Sequence, residues 1–464
     1  MENNEKRVNN INFKSFITSL IIIFSLMVLS YALTFIIQPG EYIHLADGSI
    51  DPTIPFKNVD ASLPFYKWIL SPFLVLGSSD SKTLIFVIVF LLIIGSIFNA
   101  LNKSNMVNYG LNIVVNKYKK SRFKLLFVLI LVFMLLGSIC GSFEEVVPFV
   151  PIIVTLCIEL GFDTFTGLLV SIIATGCGFA SGILNPFTVC VAQNLANVPL
   201  LSGAWMRIIS FIIIYTILSS FTYFRCKKIA KDVLDTESSE EFERNKNLEK
   251  GIIIFISFIT FGVLMVVLSV FIKAFQDLTT IFIALSFLLG GLIACFASKM
   301  KGKDIFKSCL DGLISILPAV LMILMASSIK YTLTEGKILD TMLHFAIDIA
   351  SQLTPAFVIL FIYLIVLVMN FFIASGSAKA FLLIPLLVPL AKIFGIPPQL
   401  CILAYIFGDG FSNIVYPTNP VLLISLSLAD MSYGKYIKKS WLLHLIILVV
   451  TSLLLLFALS VNYH

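Results

Sequence analysis

Four ionisable side chains lie within apolar stretches of this sequence: Glu144, Glu145, Lys379 and Asp409. Charges at membrane depth are costly, so such residues usually face a cavity, pair with one another or move ions. Aligning the segment GSFE with the segment GSAK places Glu144 opposite Lys379. Three acids and one base give a formal charge of −2. We therefore expect a site that binds a cation, or a zwitterion with an additional positive group.

A purely structural role is the alternative for these residues. Lys379 could form a buried ion pair with either Asp409 or Glu144, which would hold helices together without contacting a substrate. One lysine cannot neutralise both Glu144 and Glu145. The sequence therefore favours a substrate or ion ligand among the two glutamates, without showing which of them faces the cavity.

The apolar stretches 161–187 and 395–421 repeat each other at a fixed offset of 234 residues. The aligned residues are Gly161, Gly176, Asn185 and Pro186 with Gly395, Gly410, Asn419 and Pro420. Proline removes a backbone donor and opens a helix, while asparagine offers both donor and acceptor groups. Matched apolar segments with such interruptions are the best sequence indication of a secondary-transporter binding site. Kinked packing helices with small residues at their contacts are the alternative.

Membrane helices must position these residues. The chain has 464 residues, 59% of them apolar and 12% charged, and its mean hydropathy is +1.02. No soluble core needs that much apolar surface, so we predict an all-α polytopic membrane protein with nine transmembrane helices. Seven are continuous, at 17–38, 83–101, 206–224, 251–272, 281–298, 308–329 and 440–460, and two are broken helices, at 164–196 and 398–430.

Two further apolar pairs, at 125–160 and 356–394, consist of arms joined by a polar tip. The arms are short for a full span, so we predict two re-entrant hairpins whose tips meet near the midplane. With the broken helices they form an inverted repeat, which has a first half at 1–225, a cytoplasmic linker at 226–250 and a second half at 251–464.

The candidate site combines the hairpin tips with the two helix breaks. The predicted substrate-binding residues are Ser142, Glu144, Glu145, Asn185, Ser375, Ser377, Lys379, Asp409, Asn413 and Asn419. The predicted breaks are at Gly176, Gly178, Pro186, Gly408, Gly410 and Pro420, where glycine would let the backbone approach a ligand closely. Hydroxyl and backbone oxygens could also coordinate Na⁺ at Ser142, Thr175, Ser377 and Thr418.

Lysine and arginine are distributed asymmetrically along the predicted topology. With the N-terminus in the cytoplasm, the cytoplasmic segments hold 23 of the 32 basic residues and the external segments hold 8. This follows the positive-inside rule and predicts a multi-pass protein of the cell (plasma or inner) membrane, with the C-terminus outside. The net charge of +6 reflects this topology, so we expect no nucleic-acid partner.

Other chemistries find little support in the sequence. The four histidines, His44, His344, His444 and His464, show no metal-ligand spacing, and most of the eight cysteines sit in apolar runs. No P-loop, HExxH or GxSxG pattern is present. We expect neither an enzyme nor a resident metal or cofactor, apart from Na⁺ or H⁺ as a coupling ion.

The repeats resemble a known family of carriers. The resemblance is carried by GSFEEVVPFVPIIVTLCIELGFD, GFASGILNPFTVCVAQNLANVPLLSG, SGSAKAFLLIPLLVPLAKIFGI and FGDGFSNIVYPTNPVLL, which look like YfcC-type carriers. These belong with the four-carbon-dicarboxylate carriers and the aminobenzoyl-glutamate transporters in the ion-transporter superfamily. The resemblance spans nearly the whole chain. It implies nine transmembrane helices, two re-entrant hairpins and a homodimer with scaffold and moving transport parts.

The resemblance leaves the substrate open. Some members of the family are regarded as arginine/ornithine exchangers, while the family label often says dicarboxylate. The acidic FEE tip departs from the serine- and threonine-rich tips of the dicarboxylate carriers. We therefore expect a secondary active transporter of amino acids, with basic ones favoured, that works by exchange with elevator-type alternating access. The alternatives are an ion-coupled carrier of dicarboxylates or related organic anions, and a channel or membrane sensor.

Overall fold

The computed structural model describes residues 13–43, 55–78, 81–141, 143–199, 202–230, 244–269, 272, 279–350 and 353–464. In these ranges the chain is almost entirely helical, since a membrane segment must satisfy its backbone hydrogen bonds internally. The only strands among the described residues are Gly40–Glu41 and Lys57–Asn58, which pair antiparallel with Gly40 opposite Asn58. The predicted all-α fold is confirmed.

The described ranges contain nineteen α-helices, and two of them extend into the predicted linker at 226–250. Those of the first half are α1 (Phe13–Ile36), α2 (Phe65–Leu74), α3 (Ser81–Lys103), α4 (Met106–Tyr118), α5 (Arg122–Leu135), α6 (Phe149–Glu159), α7 (Thr164–Leu168), α8 (Ala174–Ser181), α9 (Val191–Leu195) and α10 (Ala204–Ile229). Those of the second half are α11 (Lys246–Ser269), α12 (Thr279–Ala297), α13 (Gly302–Glu335), α14 (Leu339–Ala350), α15 (Pro355–Phe372), α16 (Gly376–Ile393), α17 (Pro398–Asn413), α18 (Pro420–Leu428) and α19 (Tyr433–Ser460).

Short irregular turns interrupt the helices of the first half. Turns of π-helix lie at Leu136–Cys140, Leu169–Ile173 and Pro186–Cys190, and turns of 3₁₀-helix at Val75–Gly77, Lys119–Ser121 and Glu144–Val146. Both predicted helix breaks are present, because α8 ends at Ser181 before Pro186, and α17 ends at Asn413 before Pro420. Each break is followed by a half-helix that an Asn-Pro pair begins.

In the described part of the chain, nine helices are long and apolar enough to cross a membrane. Six of them match predicted crossings, and the other three are the hairpin arms Arg122–Cys140, Pro355–Phe372 and Gly376–Ile393. The predicted crossings at 17–38, 281–298 and 398–430 are not among the nine, because the helices described there are shorter or less apolar. Length therefore does not separate hairpin arms from spans, and re-entrance stays a prediction.

One hairpin arm is too short to span. The return arm α6 has 11 residues, or ~16 Å of helix at 1.5 Å per residue. That is about half of a ~30 Å hydrocarbon core. An arm of this length favours a hairpin whose tip lies within the membrane.

The helices pack in two groups, and each group draws on both halves of the sequence. The first group, which we call the frame, contains α1, α2, α3, α4, α11, α12 and α13. The second, which we call the core bundle, contains α5–α10 and α15–α19. The frame touches the core bundle chiefly where α13 meets α18 and where α4 meets α6. Both hairpins and both broken helices therefore lie in one bundle.

Contacts between loops agree with the predicted sidedness. At one end, which we call the basic end, Arg122 donates to the carbonyl of Leu160 (3.2 Å), so both ends of the first hairpin lie together. At the opposite end, Lys337 pairs with Glu41 (2.6 Å), which joins two segments predicted to be external. Which end faces the cytoplasm stays a prediction of the basic-residue distribution.

Asp163 ties three helices together at the basic end. Its carboxylate accepts hydrogen bonds from Arg225 (2.5 and 2.9 Å) at the end of α10 and from Lys439 (2.9 Å) in α19. It also caps α7 by accepting from the backbone N–H of Thr166 (3.0 Å). Burial alone would raise the pKa of Asp163, but the hydrogen bonds from Arg225 and Lys439 hold that pKa well below its usual range.

We predict that Asp163→Asn lowers the unfolding free energy by about 1–3 kcal/mol, because asparagine keeps the cap but loses charged hydrogen bonds. Because the pKa of Asp163 is lower in the folded state, its stabilisation of that state is fully present above the unfolded pKa of ~3.9. This stabilisation is lost only as the pH falls below that value. The deficit in thermal unfolding should therefore be equal at pH 7 and pH 5. Asp311→Asn is the control, since its pair with Lys103 is exposed and exposed pairs contribute little to stability. Equal deficits in both variants would contradict the assignment.

Candidate functional site

A buried ion pair lies at the centre of the core bundle. The Nζ of Lys379, in the first turn of α16, is 2.6 Å from Oδ1 of Asp409 in α17, and both side chains are 0% exposed. Lys379 also donates to the carbonyl of Ile373 (3.0 Å) and to Oδ1 of Asn370. These hydrogen bonds use two of the three donors of the ammonium, and Asp409 is its counter-ion. Of the two pairings considered from sequence, the structure shows Lys379 with Asp409.

This pairing changes the predicted role of Lys379. A lysine that is 0% exposed and already held by a counter-ion and two acceptors is not open to a substrate carboxylate in this conformation. Lys379 therefore acts on the site by neutralising Asp409 and by fixing the second hairpin tip.

Asn370 is a central residue that the sequence reasoning missed. Its Nδ2 donates to Oγ of Ser412 (2.6 Å), to Oδ1 of Asn413 (3.0 Å) and to the carbonyl of Asp409 (3.3 Å). Asn413 also accepts from Nδ2 of Asn419 (2.9 Å). The network therefore joins the second hairpin to the second helix break. The signal was available, because Asn370 is the amide side chain in the otherwise apolar run of α15.

Both hairpin tips lie against the first helix break. Gly141 has a positive φ of 66°, and a Cβ there would lie 2.5 Å from Oδ1 of Asn185. A Cβ at Gly376 would lie 2.8 Å from Cγ2 of Thr188 and 2.9 Å from Oδ2 of Asp409. Only glycine allows these approaches. The structure therefore brings Asn185, Asp409 and the two tips into one site.

Several buried polar atoms at this site have no hydrogen-bond partner in the described part of the chain. They are Nδ2 of Asn185, Oγ1 of Thr188, Oε2 of Glu145, Oγ1 of Thr418 and Oδ2 of Asp409. Buried polar groups are rarely left unpaired, and each exception needs an explanation. A bound ligand that supplies both donors and acceptors would satisfy them. By contrast, both polar atoms of the Asn419 amide are paired, since Nδ2 donates to Asn413 and Oδ1 accepts from the N–H groups of Val421 and Leu422.

The charge of the site is set by the first hairpin tip. Glu144 lies close enough to Asp409 for the two carboxylates to repel, and Glu145 interacts in the same way with Glu144. Lys330 of α13 is a more distant cation whose charge acts on Lys379. Glu144, Glu145, Lys379 and Asp409 give the formal charge of −2 that the sequence predicted.

Lys330 was missed because the predicted crossing ended at 329, which placed this lysine in an external loop. The helix α13 instead continues to Glu335. Helix ends are difficult to locate from sequence when polar residues extend a helix beyond its apolar run.

The break glycines contact neighbouring helices. A Cβ at Gly178 would lie 1.9 Å from the carbonyl of Met134, and one at Gly410 would lie 2.2 Å from Cα of Ala180. Gly176 and Gly408 are similarly covered by Ile414 and Val366. In this conformation helix packing, the alternative weighed from sequence, accounts for these four glycines, and the expected approach of their backbone to a ligand is not seen.

The remaining predicted residues are less informative. Ser142 lies outside the described residues. Ser375 is exposed and caps α16 by accepting from the N–H of Ala378 (3.4 Å), and Ser377 is half-buried. Thr175 donates to the carbonyl of Ser171 (2.9 Å). No group of three or more His, Cys, Asp or Glu among the described residues could hold a metal, and the Na⁺ set stays a prediction.

A polar site at two helix breaks, inside a bundle of apolar membrane-length helices, is the architecture of a membrane transporter. Comparison with known proteins agrees. The family model described as DcuC, C4-dicarboxylate anaerobic carrier, matches residues 16–460. The chain belongs to this family and is a multi-pass membrane transporter with a small-molecule substrate.

Two relatives cover most of the chain. The Escherichia coli (strain K12) protein YfcC, provisionally named a basic amino acid antiporter, is 30% identical over 406 residues, covering 83% of this chain and 80% of its own. A Haemophilus influenzae protein is 26% identical over 367 residues, covering 76% and 71%.

Two solved structures are similar in outline. The YdaH transporter of Alcanivorax borkumensis has 15% identity and a TM-score of 0.49, with 96% of this chain and 99% of that chain covered. MtrF of Neisseria gonorrhoeae has 15% identity and a TM-score of 0.47, with 98% and 96% covered.

We predict that Lys379→Met and Asp409→Asn each destabilise the protein by about 3–5 kcal/mol, because each leaves a buried charge unpaired. The double variant should recover much of this loss in thermal unfolding while transport stays impaired. Lys337→Met is the control, since its pair with Glu41 is exposed and worth about 0–1 kcal/mol. Additive losses in the double variant would show that the pair is not energetically coupled.

Proposed function

We propose that this protein is a secondary active transporter that exchanges basic amino acids across the cell membrane. The observation that carries the proposal is the excess of acid at the site: Glu144 and Glu145 face a Lys379–Asp409 pair that is already neutral. Two acids without a basic partner in the described part of the chain favour a substrate whose net charge is +1. Arginine and ornithine have this charge.

The unpartnered polar atoms support the same substrate class. The carboxylate oxygens of Glu145 and Asp409 are acceptors that an ammonium or guanidinium group could satisfy. The amide donor of Asn185 and the hydroxyl of Thr188 are suited to a substrate carboxylate. A basic amino acid carries all of these groups on one molecule. The provisional name of the E. coli relative also agrees with this proposal.

A dicarboxylate is the second candidate, because the family description names C4-dicarboxylates. It would add two negative charges beside Glu144, Glu145 and Asp409. At an effective dielectric of ~20, each close like-charge pair costs roughly 4 kcal/mol. This substrate would therefore require protons or Na⁺ to neutralise the site.

We further propose that the core bundle moves against the frame in an elevator-type cycle within a homodimer, with the N-terminus in the cytoplasm and the C-terminus outside. Both hairpins, both breaks and the ion pair lie in the core bundle, so they would move as a unit with the substrate. Lys330 belongs to the frame, and the movement would change its distance from Lys379.

Counterflow in proteoliposomes tests the exchange. Vesicles loaded with unlabelled ornithine should take up labelled arginine, whereas empty vesicles should take up little, and excess succinate should not compete. Competition by succinate without arginine uptake would contradict the proposal and favour a dicarboxylate carrier. Unsaturable uptake into empty vesicles would indicate a channel. Running the assay with and without Na⁺ separates plain exchange from Na⁺-coupled transport.

We predict that Glu144→Gln abolishes arginine exchange, because it removes a proposed ligand of the positive group of the substrate. Insertion and thermal stability should be retained, because Glu144 makes no ion pair in the described part of the chain. Glu159→Gln is the matched control, an exposed acid on the return arm of the same hairpin, and it should exchange normally. If Glu144→Gln transports like the parent, this residue is not a ligand, and Glu145→Gln becomes the decisive variant.

A further inference from the structure

An open apolar groove lies on the frame between α3, α12 and α13, away from the transport site. Its volume is about 430 Å³, within the ~300–1,000 Å³ range of ligand pockets. The lining is almost wholly apolar and includes Leu92, Ile93, Leu292, Phe296, Ile305 and Leu313. Phe296 is 59% exposed and Leu313 is 36% exposed, so the groove opens toward the lipid that surrounds the protein.

Positive charge gathers where the groove reaches the basic end. Gly302 lines the groove and lies between Lys301 and Lys303 in the sequence. Lys299 lies just before them, in the turn that connects α12 to α13. All three lysines are exposed, and none of them forms an ion pair in the described part of the chain. Lys301 precedes the first turn of α13 and makes no side-chain cap there, so the free backbone N–H groups of that turn also favour an anion.

The helical repeat separates this end of the groove from the acidic residues nearby. Positions 302, 305, 306, 309 and 313 share one face of α13, since they follow the i, i+3, i+4 spacing. Asp304 falls on the other side of the helix, and Asp311 is paired with Lys103 (2.6 Å). The groove mouth is therefore cationic.

We propose that this groove binds an anionic phospholipid of the leaflet at the basic end, with an acyl chain along the apolar lining and the phosphate at Lys299, Lys301 and Lys303. Basic pockets between membrane helices on the cytoplasmic side are suited to acidic headgroups. A second copy of the chain fits less well, because a two-fold interface places a patch against its own equivalent and would bring the two lysine clusters toward each other.

Lipid titration followed by native mass spectrometry of the purified full-length protein tests this site. Phosphatidylglycerol should bind about tenfold more tightly than phosphatidylcholine with the same acyl chains, and Lys301→Gln/Lys303→Gln should remove about that tenfold preference. Lys438→Gln is the matched control, because Lys438 is an exposed lysine of α19 in the core bundle and does not line the groove, and it should bind like the parent. Glycerophosphoglycerol, which has no acyl chains, should not compete.

Three results would overturn the proposal. Equal binding of the two phospholipids would show that the lysines do not recognise the headgroup. Unchanged phosphatidylglycerol binding by the double variant would place the lipid elsewhere. A lipid-free dimer that excludes phosphatidylglycerol from the parent protein would identify a second copy as the occupant of the groove.

Discussion

The arrangement of the core bundle depends on the buried pair between Lys379 and Asp409. An isolated charge in an apolar interior costs several kcal/mol, so a buried ammonium persists only with complete hydrogen bonding and a counter-ion. Asp409, Asn370 and the carbonyl of Ile373 together supply this. The start of α16 is thereby held against the middle of α17. Asn370 extends the same constraint to Asn413 and so to the second helix break, because any displacement would leave buried polar groups unpaired.

The two repeats share a backbone plan but differ in charge. In the second repeat, the tip charge is neutralised within the protein. In the first, Glu144 and Glu145 remain without a described basic partner, and Oε2 of Glu145 has no hydrogen bond. The two tips therefore differ in the charge that they present to the site. The charge of the second tip is thus paired with Asp409, whereas the acids of the first tip have no basic partner in the described part of the chain.

Small residues allow the broken helices to approach each other closely enough to build this site. Gly410 lies against Ala180 and Gly176 against Ile414, so the two interrupted helices cross in direct contact. Close helix approach through small residues is the usual packing device in membranes, where burial of apolar side chains gives little driving force. The repeated glycines thus position the Asn-Pro breaks, and the asparagines that follow supply the polar chemistry.

The sequence by itself determined the helical membrane fold, both helix breaks, and the meeting of hairpin tips with breaks, because hydropathy and Gly/Pro interruptions are local properties that a bilayer leaves few ways to satisfy. Tertiary structure alone decided which partner Lys379 takes, since Glu144 and Asp409 are equivalent in sequence terms and only packing distinguishes their distances. It also decided the role of Asn370, which reaches the site from α15. Contacts between residues far apart in the chain depend on how the helices pack, and the packing cannot be derived from the sequence of any single segment.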